Sequence, residues 1–135
     1  MNIKNIIISY LLTLIVFLAV DMFWLGIISK NLYQKYLGSF LTDKVNWTAA
    51  LIFYLIYVVG ISIFAIYPAV SKGSAFNAIL MGALFGIFTY ATYDLTNLAT
   101  LKGWPLNIVF IDILWGAALS ALVSFSGFHI VKWLN

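Results

Sequence analysis

Four nearly uninterrupted apolar runs leave this 135-residue chain little choice of fold. A hydrocarbon core of roughly 30 Å takes about 20 apolar residues of helix to cross, and a backbone inside it must satisfy its own hydrogen bonds. The runs cover about residues 5–29, 46–67, 76–98 and 106–131. With 64% of residues hydrophobic and 8% charged, nothing remains for a water-soluble domain. The expected architecture is an all-α integral membrane protein. It is a single membrane domain, residues 1–135, of four transmembrane helices in a compact antiparallel bundle. The first run follows one lysine, Lys4, as a signal peptide would. It stays apolar well past a signal-peptide core and carries no small-residue cleavage site, so it reads as a retained helix.

The breaks between runs are of three kinds. Lys30 to Val45 is polar and aromatic, with Leu32, Tyr33, Tyr36, Leu37 and Phe40 near helical spacing. That pattern predicts a short amphipathic helix lying in the membrane interface between spans 1 and 2, weakened by Gly38. Pro68 is expected to stop span 2, because proline cannot continue the hydrogen-bond ladder. Lys102, Gly103, Trp104 and Pro105 form a strong breaker between spans 3 and 4. Lys132 and Trp133 close the last span as an interfacial anchor pair.

Charge excludes several functions. The seven cations are all Lys and the four anions all Asp, with no Cys, Arg or Glu. Without cysteine there are no disulfides, thiolate zinc sites or cysteine nucleophiles. Without a basic cluster the chain is not expected to bind nucleic acid. Four spans put both termini on one side, here side A, with Lys4, Lys72 and Lys132. Side B holds Lys30, Lys35, Lys44 and Lys102, offset by Asp43. Lysine counts this even set no orientation by the positive-inside rule. The working expectation is that both termini lie in the cytoplasm.

Three of the four carboxylates break the apolar pattern. Asp21, Asp94 and Asp112 sit in spans 1, 3 and 4, and a carboxylate at membrane depth marks an ion path, a ligand site or a structural polar knot. Chain direction places all three in the side-B half: Asp21 about 12 Å below the end of span 1, Asp112 about 9 Å into span 4, and Asp94 one turn from the end of span 3. Tyr54 and Tyr57 reach a similar depth in span 2, whereas His129 lies at the opposite end of span 4. In span 3, Ala78, Gly82, Gly86 and Tyr90 follow at four-residue steps, and Asp94 and Asn97 continue that face. Small residues so spaced let helices approach closely in lipid. The stripe is therefore expected to face protein and to carry Tyr90, Asp94 and Asn97 inward. In span 4, Gly116, Ser120 and Ser124 offer a comparable seam. Asp21 with Trp24, and Asp112 with Trp115, share a three-residue spacing that would let each indole N–H reach the carboxylate on its own helix.

The ligand- or proton-binding candidates are therefore Asp21, Asp94, Asp112, Asn97, Tyr90, Tyr54, Trp24 and Trp115, with Trp104 and Tyr57 as walls and 96–105 as lid or rim. No metal-ligand set and no specific cofactor are predicted. Carboxylates, tyrosines and indoles around one cavity suit a cationic or amphiphilic ligand, the first reading being a proton- or cation-coupled carrier or a small-ligand-binding protein. The general layout resembles the small multidrug resistance transporters. Those depend on a glutamate in the first span, which this chain lacks; antiparallel homodimerisation would favour that reading. A second reading is a membrane enzyme acting on a lipid or isoprenoid headgroup, its aspartates holding Mg²⁺ against phosphate. Only Lys102 would accompany that chemistry, and no nucleophile–base pair is visible. A third is an accessory subunit packed on a membrane partner.

The chain resembles, nearly end to end, the bacterial predicted membrane proteins called domain of unknown function two-one-seven-seven. The resemblance is carried by Asp21, Trp24, Leu25 and Gly26, by Trp47, Ala49, Ala50, Leu51 and Tyr54, by the block from Thr92 to Pro105, and by Asp112, Trp115 and Gly116. It implies a small multi-span protein of a bacterial envelope, with the inner membrane as its expected place, and no particular substrate.

Overall fold

A computed structural model describes all of residues 1–135 and is helical throughout, without strands. Four helices are long and apolar enough to cross a bilayer: span 1, Ile3–Ile28; span 2, Trp47–Lys72; span 3, Ala75–Thr100; and span 4, Leu106–Leu134. A fifth, the linker helix Lys30–Leu37, joins spans 1 and 2. Local chemistry fixes where three spans start. The Asn2 side chain accepts from the Asn5 amide at 2.8 Å, Asn46 from Ala49 at 3.1 Å, and Ser74 from Asn77 at 3.1 Å. Each satisfies an amide that the first helical turn leaves free. Span 2 ends at Gly73 and the span 3–4 turn passes through Gly103, both at positive φ, the two places where the chain reverses through a left-handed residue.

Pro68 does not end span 2. The helix is wound as a π-turn over Ser62–Ile66, closed by the Tyr67 amide donating to the Ser62 carbonyl, and then runs on through Pro68 to Lys72. The wider turn shifts the hydrogen-bond register just before the proline, so the ring and its missing N–H fall where the ladder is already offset. The link to span 3 is thereby reduced to Gly73 and Ser74. Span 1 ends in a second π-turn, Trp24–Ile28, capped by Ser29, whose amide and hydroxyl both donate to the Trp24 carbonyl at 2.8 and 2.9 Å.

Both termini lie at one end, where the Asn5 amide side chain donates to the Leu134 carbonyl at 2.6 Å. Span 1 packs against spans 2 and 4, and span 3 packs along span 4. Phe17, Tyr57, Ile61, Leu119 and Val123 join spans 1, 2 and 4 in the main core. Span 3 meets span 2 through the π-turn and Tyr67–Lys72 but hardly through Trp47–Ile61. The two helices thus close on side A and part toward side B. The outer surface is apolar over its whole height, with Ile15, Ile56, Phe88 and Leu114 all exposed, as a bilayer environment requires.

The span 3–span 4 contact is backbone on backbone. A methyl group at Gly86 would lie 2.0 Å from the Gly116 carbonyl oxygen, and one at Gly116 would lie 2.3 Å from the Tyr90 ring. The small-residue stripe therefore faces protein, with Ala78, Gly82 and Gly86 all buried. Gly86→Ala is expected to cost about 3 kcal/mol or prevent folding, since a backbone carbonyl cannot step aside. Gly26→Ala, with open space around it, is expected to cost nothing. Melting curves of the two variants in detergent, followed by size-exclusion fluorescence, compare them directly.

Candidate functional site

The linker helix is what closes the side-B end. Its apolar stripe does not simply lie on lipid. Leu37 is buried with Trp104, Ile108 and Val109, and Tyr33 and Tyr36 pack beside them. Protein offers this stripe a complementary surface at the start of span 4, where lipid would offer none. Tyr36 adds an acceptor for the Asn107 side chain at 3.3 Å.

Beneath this cap lies a cavity of about 480 Å³, walled by spans 1, 2, 3 and 4 and by the linker helix. Asp21 and Asp112 both line it, with Trp24, Trp115, Tyr54, Tyr90 and Tyr93 around them, and Lys30 and Gln34 at the linker side. Asp21 and Asp112 are 6% and 7% exposed, so each shows the cavity only an edge.

The indoles serve the opposite carboxylates from those their spacing suggested. Trp115 Nε1 donates to Asp21 Oδ1 at 3.4 Å, although Asp21 is on span 1. Trp24 Nε1 donates to the Tyr33 hydroxyl at 3.2 Å, and that hydroxyl donates a short hydrogen bond to Asp112 Oδ1. The two indole rings stack with centroids 4.3 Å apart and planes within 7°. Two antiparallel helices that bring their Trp residues face to face set each indole beyond its own Asp, Trp115 beside Asp21 of span 1 and Trp24 beside Tyr33 of the linker helix. Burial pushes the Tyr33 phenol well above its usual range, and its bond to Asp112 adds to the effect. Tyr33 therefore remains a proton donor to Asp112 at any physiological pH.

Asp94 stands behind this cavity and does not line it. It is fully buried, its neighbours being the Asp112 carboxyl and the Trp104 indole, and neither of its oxygens has a hydrogen-bond partner. Trp104 Nε1 is likewise buried and unpartnered. Trp104 is held over Asp94 by Phe40 and Tyr93, at centroid distances of 5.3 and 6.0 Å. Spans 1 and 3 flank span 4 on different sides, so the carboxylates form a row, Asp21, Asp112, Asp94, with Asp112 in the middle. They do not converge as a group of three metal-ligating side chains.

Of the residues expected at the site, Asp21, Asp112, Tyr90, Tyr54, Trp24 and Trp115 line the cavity. Asn97 does not: it is half-buried beside Tyr93 and lines neither this cavity nor its neighbour. Three residues on from Asp94 is a rotation of about 60° off that face, enough to leave the seam. His129 is remote, packed edge-on against Phe125 and Phe128. Tyr33, Tyr93 and Phe53 line the cavity too, and spacing missed them. Tyr33 was visible only as part of the amphipathic linker stripe, and nothing in the sequence says that the stripe docks over span 4.

Residues 6–129 match the predicted membrane protein family DUF2177. The chain belongs to that family. This DUF2177 protein matches no curated protein and no solved structure.

A partnerless carboxyl in a protein interior is a cost that packing alone would remove. Asp94→Leu in this DUF2177 protein is therefore expected to raise thermal stability, by the equivalent of about 1–3 kcal/mol. A comparable loss in a melting curve would show that the carboxyl is a structural element instead. Tyr33→Phe leaves Asp112 and Trp24 without their shared partner and is expected to cost about 1–3 kcal/mol, against almost nothing for Tyr36→Phe at the exposed Asn107 contact.

Proposed function

We propose that this protein is a small-ligand-binding protein of the membrane, the binding unit of a proton- or cation-coupled carrier, and that its ligand carries a positive charge. The observation that carries this reading is the convergence of Asp21 and Asp112, from different spans, on one aromatic-walled cavity whose only cation is Lys30 at the linker side. Stacked indoles and four tyrosines around carboxylates attract an ammonium group through both charge and ring quadrupoles. Hydrogen bonds from Trp115 and Tyr33 occupy one oxygen each of Asp21 and Asp112 and orient the carboxylates without neutralising them.

Asp94 supports the coupling part of the reading. Asp94, fully buried behind Asp112, offers the place where a proton and an arriving cation would compete for a carboxylate. Ligand arrival and proton release are then linked at one place. A headgroup enzyme is less well supported, because the carboxylates are strung in a row, no nucleophile–base pair is present, and the one histidine lies at the far end.

Tetramethylammonium is the simplest probe. Equilibrium dialysis against the protein in lipid nanodiscs is expected to show saturable binding, weakened at least about tenfold, or 1.4 kcal/mol, by Asp112→Asn or Asp21→Asn. Asp43→Asn, on the exposed loop, is expected to leave it unchanged. Absence of saturable binding, or binding indifferent to both cavity variants, would sink the reading. The reading includes a bacterial inner membrane with both termini cytoplasmic. A green fluorescent protein fused after Asn135 is then expected to fluoresce, and alkaline phosphatase fused there to be inactive.

A further inference from the structure

The charged cavity adjoins a second space. A crevice of about 360 Å³ lies between spans 2 and 3, lined by Phe53, Tyr57, Thr89, Tyr90, Tyr93 and Asp112. It shares Phe53, Tyr90, Tyr93 and Asp112 with the cavity under the linker helix, so the two spaces adjoin along one wall. Its existence follows from the way spans 2 and 3 part toward side B. At its base Tyr57 ties three helices together, its hydroxyl 2.5 Å from Ser120 Oγ and 3.2 Å from Thr89 Oγ1.

Beyond Thr89 the crevice meets an outer groove of about 590 Å³ that runs along the lipid-facing side of span 3, past Phe88, Phe85, Leu84 and Met81 to Phe64 of span 2. From Thr92 to Met81 is eleven residues, about 16 Å along the helix. The lining changes along this path: a carboxylate stands at the inner end, Tyr57 and Thr89 line the crevice, and the outer groove is apolar apart from Thr89 and Thr92. A small aqueous cation has no use for such a path. A molecule with a charged head and one alkyl chain matches it from end to end.

We propose that the ligand is a single-chain cationic amphiphile, which enters sideways from the bilayer between spans 2 and 3, sets its ammonium head at Asp112 and lays its chain along the span 3 groove. This rests on the reading of the cavity as a cation site and names the class of cation. The surrounding lipid is as apolar as the groove, so the chain gains little from burial as such. What the groove supplies is a route and a shape.

The test displaces radiolabelled tetramethylammonium from nanodisc-held protein with butyl- and dodecyltrimethylammonium, each expressed as mole fraction in the membrane. Dodecyltrimethylammonium is expected to displace at a mole fraction about tenfold lower than butyltrimethylammonium. Leu84→Trp, which puts an indole in the outer groove, is expected to remove that advantage while leaving tetramethylammonium and the butyl compound unaffected. Ile79→Trp, on a lipid-facing patch away from the groove, is expected to change nothing. Equal displacement by both chain lengths, with tetramethylammonium still bound, would overturn the chain path and leave the cation site standing. No tetramethylammonium binding at all would overturn both. A dodecylammonium probe with a photoreactive chain terminus keeps the question open to test should Leu84→Trp fail to fold. It is expected to label Phe85, Phe88 or their neighbours on span 3, and labelling confined to span 1 or span 4 would refute the path.

Discussion

The contact on which the rest depends is the one where Gly86 meets the backbone of Gly116. No side chain stands between spans 3 and 4 there, so the register of the two helices is set by backbone shape and tolerates no slip. That register lays Tyr90 over Gly116 and brings the Asp94 carboxyl beside that of Asp112. Span 1 then approaches span 4 from another side and delivers Asp21, while the stacked pair of Trp24 and Trp115 fixes how far the two helices can rotate. The polar row is thus a product of two interfaces on one helix. Asp112, at their junction, stands between the other two carboxylates.

Two departures from regular helix make room for the site. The π-turn at Ser62–Ile66 lets span 2 carry Pro68 and keep its side-A half against span 3. Nothing comparable binds the side-B halves, and they part around Tyr57. The π-turn at Trp24–Ile28 ends span 1 and lets Ser29 start the linker helix, which folds back far enough for Tyr33 to reach span 4. Wide turns of this kind recur near functional sites because they re-aim a helix without breaking it. Here the turn at Trp24–Ile28 gives Trp24 and Leu25 to the cavity wall, while the one at Ser62–Ile66 lies about two turns along span 2 from Tyr54.

Much of this was legible in the residues. Runs as long as 106–131 admit no other element than a membrane helix, and small residues at four-residue steps could only mean a close contact. The depth of Asp21, Asp94 and Asp112 followed from counting along helices of known rise. What escaped were features decided between helices. The three-residue spacing of Asp21 and Trp24 says what shares a face, but the Trp24 indole found its partner in Tyr33 on the linker helix, and Asp21 its donor in Trp115 on span 4. Pro68 was read by a local rule that a shifted register had already satisfied. Asn97 was read as continuing the face of Gly82, Gly86, Tyr90 and Asp94, but its three-residue step from Asp94 turns it about 60° away. Tyr33 belongs to a stripe whose destination only the folded chain reveals.

The central claim is that the carboxylate row centred on Asp112 exists to hold a cationic ligand. Native mass spectrometry of the protein extracted in mild detergent, wild type beside Asp112→Asn and Asp21→Asn, tests it without a prior choice of ligand. The account predicts a discrete bound mass on the wild type, positively charged once released, and absent from both folded variants. Equally stable, ligand-free protein in all three would contradict it and leave the row as a polar knot between helices.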